Sequence, residues 1–306
     1  MNAGNQTSDL EKEDSEREAF IMSQIIGPAS SDVKMDDIVG QNAAKEALEE
    51  TVVLPTINPV LFTDLRAPAR GILLFGPPGN GKTMLAKALC KEQSITFINM
   101  SASSLTSKWH GEGEKTVRVL FSVARKKQPC AIFIDEIDSF LCERKEGEDE
   151  ASRRLKTEFL AAFDGMESRN DDRILVIGAT NRPWELDDAV IRRFDKRIYV
   201  KPPDQKARAE ILCKLVEKHN PLEKEDLQKL ASKTAGYSGS DLRILAKDAA
   251  MEPIRGKSRA EVKSMTTDKA QIRYADFDKS LKKVRRSPAS LLRFKKWNRE
   301  YGYKST

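Results

Sequence analysis

The chain has 306 residues, 39% of them hydrophobic and 33% charged, a length that suits one large or two ordinary domains with a sizeable core. Its longest apolar runs, such as Ile72 to Phe75, fall far short of the roughly 20 residues that a membrane-spanning helix needs. The polar, acid-rich opening MNAGNQTSDLEKEDSERE lacks both a signal peptide's apolar centre and a transit peptide's Arg-rich, acid-poor character. Cytosol, with the nucleus also open, is therefore the expected compartment. Cys90, Cys130, Cys142 and Cys213 form no CxxC pair and the chain has 2 histidines, so reduced thiols in or near the core are expected rather than a zinc site or disulfide framework. The net charge of +6 conceals an acidic start and a strongly basic segment from Lys257 onward. That segment reads either as an arm for an anionic partner or as a solvated helical face.

Residues 1–17 are polar enough to be expected as a disordered acidic terminus. A short helix over Glu18 to Ile26, stopped by Gly27-Pro28, and a linker complete residues 18–35. From 36 to 203, apolar runs (Gly71 to Phe75, Thr96 to Asn99, Ala131 to Asp135, Ile174 to Ala179, Arg197 to Val200) alternate with helical stretches, the pattern of an α/β domain whose parallel sheet is covered on both faces. Residues 204–286 contain no convincing strand and read as a small domain of three or four helices. Pro202-Pro203 disfavours continuing either element and Asp204 can cap the helix that follows. Residues 287–306 close the chain with an amphipathic helix carrying Leu291, Leu292, Trp297 and Tyr301 on or near one face.

Chemistry concentrates after the first strong strand. Gly76, Pro77, Pro78, Gly79, Asn80, Gly81, Lys82 and Thr83 form G-x-x-x-x-G-K-[ST] between a strand and a helical run beginning at Met84, the context that a phosphate-binding loop requires. Backbone N–H groups and the helix N-terminus would receive the phosphates of ATP, Lys82 would neutralise them, and Thr83 would ligate Mg²⁺. Asp135 ends a buried strand and is placed to hold that Mg²⁺ through water, while Glu136 would polarise the attacking water. Asn181, just past the strand ILVIGAT, could hold the same water or the γ-phosphate. Charge spreading in the transition state also calls for a cation. Arg192 and Arg193 are candidates for acting in a neighbouring site, although an Arg pair read alone is more readily a surface salt bridge.

With those residues in place the chain resembles the AAA ATPases of the meiotic clade, the group of microtubule-severing and ESCRT-disassembling enzymes, and within it the spastin branch. The resemblance runs from DDIVGQ, which begins at Asp36, to Tyr301 and rests on LRAPARGILLFGPPGNGKTMLAKA, SLTSKW, GEGEK, CERKEGE, ASRRLKTEF, GATNRP, GYSGSDL and the WN at Trp297. It implies a homo-hexamer with ATP between subunits and Arg192 and Arg193 as fingers acting in trans. It also places Asp37, Ile38 and Gly40, with Gly239 and Ser240, around the adenine and ribose. Lys108, Trp109 and His110 would form a first pore loop, although Trp109 read alone would be a core aromatic. Arg144, Lys145, Arg153 and Arg154 would line a second, which read alone is a solvated charged loop. His110 and Asp149 depart from the family pattern and would alter the grip on an acidic substrate. The implied activity is ATP-driven severing of microtubules by pulling acidic tubulin tails through the pore. The alternatives are remodelling of another assembly such as ESCRT filaments, or a nucleic-acid-associated P-loop ATPase using the basic segment.

Overall fold

The computed structural model describes residues 3–27, 33–106, 112–143, 150–167, 172–217, 219, 222–266, 270–288 and 290–303. Six strands form one sheet: β1 (Ile25–Ile26), β2 (Gly71–Phe75), β3 (Thr96–Ser101), β4 (Cys130–Asp135), β5 (Ile174–Thr180) and β6 (Lys196–Tyr199), in the order β1-β3-β4-β5-β2-β6. All neighbours are parallel except β1, which pairs antiparallel with β3 at the edge. Every residue of β2 and β5 is buried, which is why these strands read as continuous apolar runs without alternation.

Helices cover both faces: α1 (Ala3–Ser23), α2 (Asn42–Leu48), α3 (Leu54–Ile57), α4 (Lys82–Glu92), α5 (Ala102–Thr106), α6 (Gly113–Lys126), α7 (Glu150–Glu167) and α8 (Asp188–Arg193). Successive strand side chains point to opposite faces. Leu73 and Phe75 accordingly pack with Phe121 of α6 and Phe159 and Phe163 of α7, while Ile72 and Leu74 pack with Leu48 of α2 and Leu85 and Leu89 of α4. The remaining helices are α9 (Gln205–Val216), α10 (Lys224–Lys233), α11 (Gly239–Met251), α12 (Arg259–Ser264) and α13 (Tyr274–Ser280); α9, α10, α11 and α13 share a separate core around Leu212, Leu230, Leu245 and Phe277, and α12 buries none of its residues. Asp204 caps α9 by accepting from the Ala207 N–H at 2.8 Å. The last helix, α14 (Leu291–Tyr301), returns to the sheet, where the Trp297 ring lies edge-on to Phe75 at 4.5 Å. Phe75 is the residue before the glycine-rich loop, so α14 buttresses that loop from behind.

Several expectations change. The acidic terminus is helical from Ala3, and α1 runs through Ser23 instead of starting at Glu18. Ile25 and Ile26 extend the sheet as β1. The physical reason lies in α1's contact with α6: Ile21 is fully buried, and Arg17, 1% exposed, is neutralised by Glu13, Asp14 and Glu112. A buried cation is tolerated when its charge is paired, and here three carboxylates pair it through Nη1 and Nη2. On α14, Phe294 and Trp297 are the buried residues while Leu292 is 81% exposed. Cys90 and Cys130 are buried as expected, whereas Cys213 is exposed.

Candidate nucleotide site

The sheet order sets the site. β4, β5 and β2 are adjacent and parallel, so their C-terminal ends present Asp135 and Glu136, Asn181 and the glycine-rich loop side by side. Ligands in open α/β sheets bind at this edge of the strands. Glycine is obligatory at Gly76, because a Cβ there would stand 2.3 Å from the Val200 carbonyl oxygen. At Gly79 (φ +76°) a Cβ would stand 2.9 Å from Ser238 Oγ and from Ser240, so the loop and the start of α11 are in close apposition. The Ser240 N–H donates to the Gly79 carbonyl at 3.0 Å. No side chain caps the N-terminus of α4, which leaves its first N–H groups and the positive end of its dipole for an anion.

Lys82 is buried, and its ammonium donates to three neutral acceptors: the Gly76 carbonyl at 2.9 Å, the Pro77 carbonyl at 3.1 Å and Asn181 Oδ1 at 2.7 Å. Burial pushes its pKa down to about 8, against the opposing fields of Asp135 and Asp138. The Thr83 hydroxyl donates to Asp135 Oδ2 at 2.9 Å, and the Glu136 N–H donates to Asp135 Oδ1 at 2.9 Å. Glu136 itself is exposed and adopts a left-handed backbone (φ 54°). Non-glycine residues enter that region at a cost of about 1 kcal/mol or more. The chain turns there directly after β4, leaving the Glu136 carboxylate on the open side of the site.

Two supporting residues escaped the sequence reading. Asp138 and Thr180 are both buried, and the Thr180 hydroxyl donates to Asp138 Oδ1 at 2.6 Å while accepting from the Arg182 N–H at 2.9 Å. This clasp fixes the peptide on both sides of Asn181, whose amide oxygen Lys82 uses. The signal available in the sequence was a third acid after Asp135-Glu136 and a threonine ending an otherwise apolar strand.

Asp37, Ile38 and Gly40 lie beside α4 and the helical domain. Asp37 accepts from the Lys34 N–H at 2.8 Å, Ile38 is buried, and a Cβ on Gly40 would meet Ala207 of α9 at 3.2 Å. Lys214 of α9 also donates to the Asp36 carbonyl. Met84 is 40% exposed on the first turn of α4. The two arginines separate: Arg193 is held by Asp164 at 2.6 Å through both Nε and Nη2 and donates to the Ala189 carbonyl at 2.7 Å. Arg192 is exposed and enters no ion pair among the described residues. Arg153 and Arg154 are exposed at the start of α7, and Arg154 lies 3.9 Å from Glu150. Lys108, Trp109, His110, Arg144, Lys145 and Asp149 lie outside the described residues.

The donor set fits Mg²⁺. A threonine hydroxyl and a carboxylate in contact supply hard oxygen ligands, and Mg²⁺ takes one or two such protein groups together with phosphate and water. Residues 72–202 match the family model described as ATPase family associated with various cellular activities (AAA), and residues 224–268 match that of the AAA+ lid domain. The FIGL-1 AAA domain superimposes with a TM-score of 0.86 at 43% identity, covering 94% of this chain and 96% of that one.

This chain is an AAA ATPase domain with its lid.

The crystallised FIGL-1 AAA domain in complex with ADP gives a TM-score of 0.84, and a chain from a study of katanin self-assembly gives 0.78 at 37% identity over 92% of this chain and 96% of that one. Spastin of Danio rerio is 58% identical over 293 residues, and spastin of Homo sapiens 57% identical over 293 residues. Each alignment covers 94% of this chain but only 51% and 47% of the relative, so the AAA chain spans about half the length of these curated relatives. Among the described residues no helix is long and apolar enough to cross a membrane.

The lowered pKa of Lys82 has a measurable consequence. A lysine depressed to about 8 is half deprotonated at that pH, and a bound polyphosphate favours its charged form. Nucleotide binding at pH 8, where the triphosphate is already ionised, is therefore expected to take up about half a proton at Lys82, and the lysine's uptake shrinks as pH falls and the group is charged before binding. Titration calorimetry of Mg²⁺-free ATP in buffers of different ionisation enthalpy reads this uptake. The chain's affinity should fall as pH rises through 8 and 9.

Proposed function

We propose that this AAA domain is the motor of a homo-hexamer that hydrolyses ATP to draw acidic tubulin C-terminal tails through a central pore and thereby severs microtubules in association with the cytoskeleton. The observation that carries the hydrolytic half is the convergence of Lys82 on Asn181 and of Thr83 on Asp135 at three adjacent strand ends, with Glu136 on the open side. ATP would lie with its phosphates on the uncapped N-terminus of α4, and the adenine would lie between the Asp37–Gly40 turn and Gly239–Ser240 of the lid. Lys82 would exchange its carbonyl partners for phosphate oxygens, freeing the Asn181 amide to hold water or the γ-phosphate. Glu136 would accept the proton of the attacking water. Mg²⁺, when bound through Thr83 and Asp135, supplies neutralisation of charge on the β- and γ-phosphates.

Assembly is supported by two features that the isolated domain does not use. Arg192 is exposed without an ion-pair partner among the described residues, and it follows the Asn181 loop rather than entering this chain's own phosphate site. Leu54, Ile57, Val60, Leu61 and Leu65 expose large apolar side chains, from 41% at Leu54 to 104% at Leu65. A run of this kind suits burial against another subunit. The pore roles of Lys108, Trp109, His110, Arg144, Lys145, Arg153 and Arg154, and the choice of tubulin as substrate, rest on the likeness to spastin and katanin. ESCRT-type relatives carry a β insertion in the lid, whereas the described residues of 258–275 form α12 and no strand. The deciding experiment is the ATPase rate per subunit against protein concentration, with and without polymerised tubulin. Cooperative growth and stimulation by microtubules are expected; a flat, unstimulated rate would overturn both the shared site and the substrate.

A further inference from the structure

The segment joining α13 to α14 is fastened to the lid beside the phosphate loop. The Ser287 hydroxyl donates to Asp241 Oδ1 at 2.6 Å, and the Ser287 N–H donates to Oδ2 at 3.3 Å. Asp241 is 3% exposed and also receives the N–H and hydroxyl of Ser238, each at 2.8 Å. Burial works to raise the Asp241 carboxyl, and the Ser287 and Ser238 hydrogen bonds more than offset it, holding it below the ordinary carboxylate range. The same lid turn bonds to Gly79 of the phosphate loop through Ser240. A cavity of about 390 Å³ lies where this segment, the lid turn and the loop meet. A second tether, from Tyr237 Oη to the Val284 carbonyl at 2.7 Å, holds the same segment upstream.

Ser287 is nonetheless on the surface as a residue, as are Arg285, Arg286 and Pro288 around it. The two arginines enter no ion pair among the described residues, Ser287 lies outside any helix or strand, and the proline after it disfavours helical backbone there. A surface serine in such a segment, with cations before it and proline after, presents a recognition pattern for a serine kinase that reads charge and backbone shape.

We propose that Ser287 is a phosphorylation site whose modification unfastens the C-terminal segment from Asp241 and so weakens nucleotide binding at the adjoining loop. In the step itself the Ser287 oxygen attacks the γ-phosphorus of kinase-bound ATP, the bond to the β–γ bridging oxygen breaks, ADP leaves and the hydroxyl proton passes to the kinase's base. The product exchanges a hydrogen-bond donor for a group of charge about −1.5 to −2. That group is expelled from the buried carboxylate, because the two negative charges repel each other and burial keeps water from screening them. Once outside, it is met by Arg285 and Arg286. The lid turn then loses two of the four hydrogen bonds that fix Asp241, and with them part of what holds Ser238 to Ser240 against Gly79.

The inference rests on the loop being the nucleotide site, so the test reads that separately. The full chain is incubated with Mg²⁺-ATP and either a proline-directed or an Arg-directed serine kinase, mapped by mass spectrometry, freed of nucleotide and titrated with a fluorescent ATP analogue. The expected result is phosphate on Ser287 and about tenfold weaker binding, within the usual range for coupling between sites. Ser287→Ala should take no phosphate there and bind within about fivefold of the unmodified chain, the span that one hydrogen bond of about 1 kcal/mol corresponds to. Absence of phosphate on Ser287 with both kinases, or a Ser287 phosphoprotein with unchanged affinity, overturns the proposal. An unmodified chain that fails to bind the analogue would instead overturn the nucleotide site.

Discussion

Glu136→Gln is expected to bind ATP with nearly the affinity of the parent chain and to hydrolyse it about 10²–10⁴ times more slowly, the span that a positioned general base contributes. The geometry favours a clean separation of the two effects. Glu136 reaches Asp135 through its backbone N–H, at 2.9 Å, and the amide variant keeps that donor, so the acid facing Thr83 is undisturbed. The side chain is exposed, so replacing carboxylate by carboxamide leaves no buried group unpaired. What is lost is the basic oxygen on the open side of the site. Equilibrium binding of ATP together with single-turnover hydrolysis measures both quantities. In the hexamer proposed above, the variant should accumulate assembled under saturating ATP, because bound nucleotide is no longer consumed. Equal loss of binding and hydrolysis would mean that Glu136 shapes the loop instead of acting on water, which its left-handed backbone makes a fair alternative to exclude.

The parts of the fold that could be read in the sequence are those where a single physical demand dominates. β2, β4 and β5 are covered on both faces and admit almost only apolar residues. The phosphate loop needs glycine where the Val200 carbonyl passes 2.3 Å from a would-be Cβ, and Lys82 and Thr83 follow at fixed spacing. Elements held by pairwise chemistry could not be read. The charges of α1 look like those of a solvated tail until Glu112, 95 residues further along, is brought to Arg17. The two-residue β1 is too short for any period. Leu292 looks apolar enough for the core, but α14 places Phe294 and Trp297 inward and leaves it in solvent. The Asp138–Thr180 clasp joins the turn after β4 to the end of β5 and is visible only once β4 and β5 are neighbours.

The pair Arg192 and Arg193 shows the limit most sharply, since adjacency in sequence gives two equal candidates and the structure makes them unequal. Arg193 bonds to Asp164 through two nitrogens and to the Ala189 carbonyl, so its cation is paired within this chain. Arg192 is exposed and available to a neighbour. Arg192→Ala is expected to lower hydrolysis about 10³-fold or more, the usual contribution of an arginine finger, with ATP binding and thermal stability almost unchanged. Arg193→Ala should cost on the order of 1 kcal/mol in stability, because a half-exposed ion pair contributes modestly while its hydrogen bonds to the α8 carbonyl and to Asp164 are lost together. Denaturant unfolding distinguishes these outcomes before any activity is measured. Mixing supplies the sharper test. Lys82→Ala subunits cannot hold ATP productively but still carry Arg192, so mixed with Arg192→Ala subunits they should restore hydrolysis at the shared interfaces. Arg193→Ala subunits should restore Lys82→Ala no better than the parent chain does. If Arg192→Ala alone retains full activity, or mixing restores none, then the cation that meets the γ-phosphate is not Arg192 from the adjoining subunit.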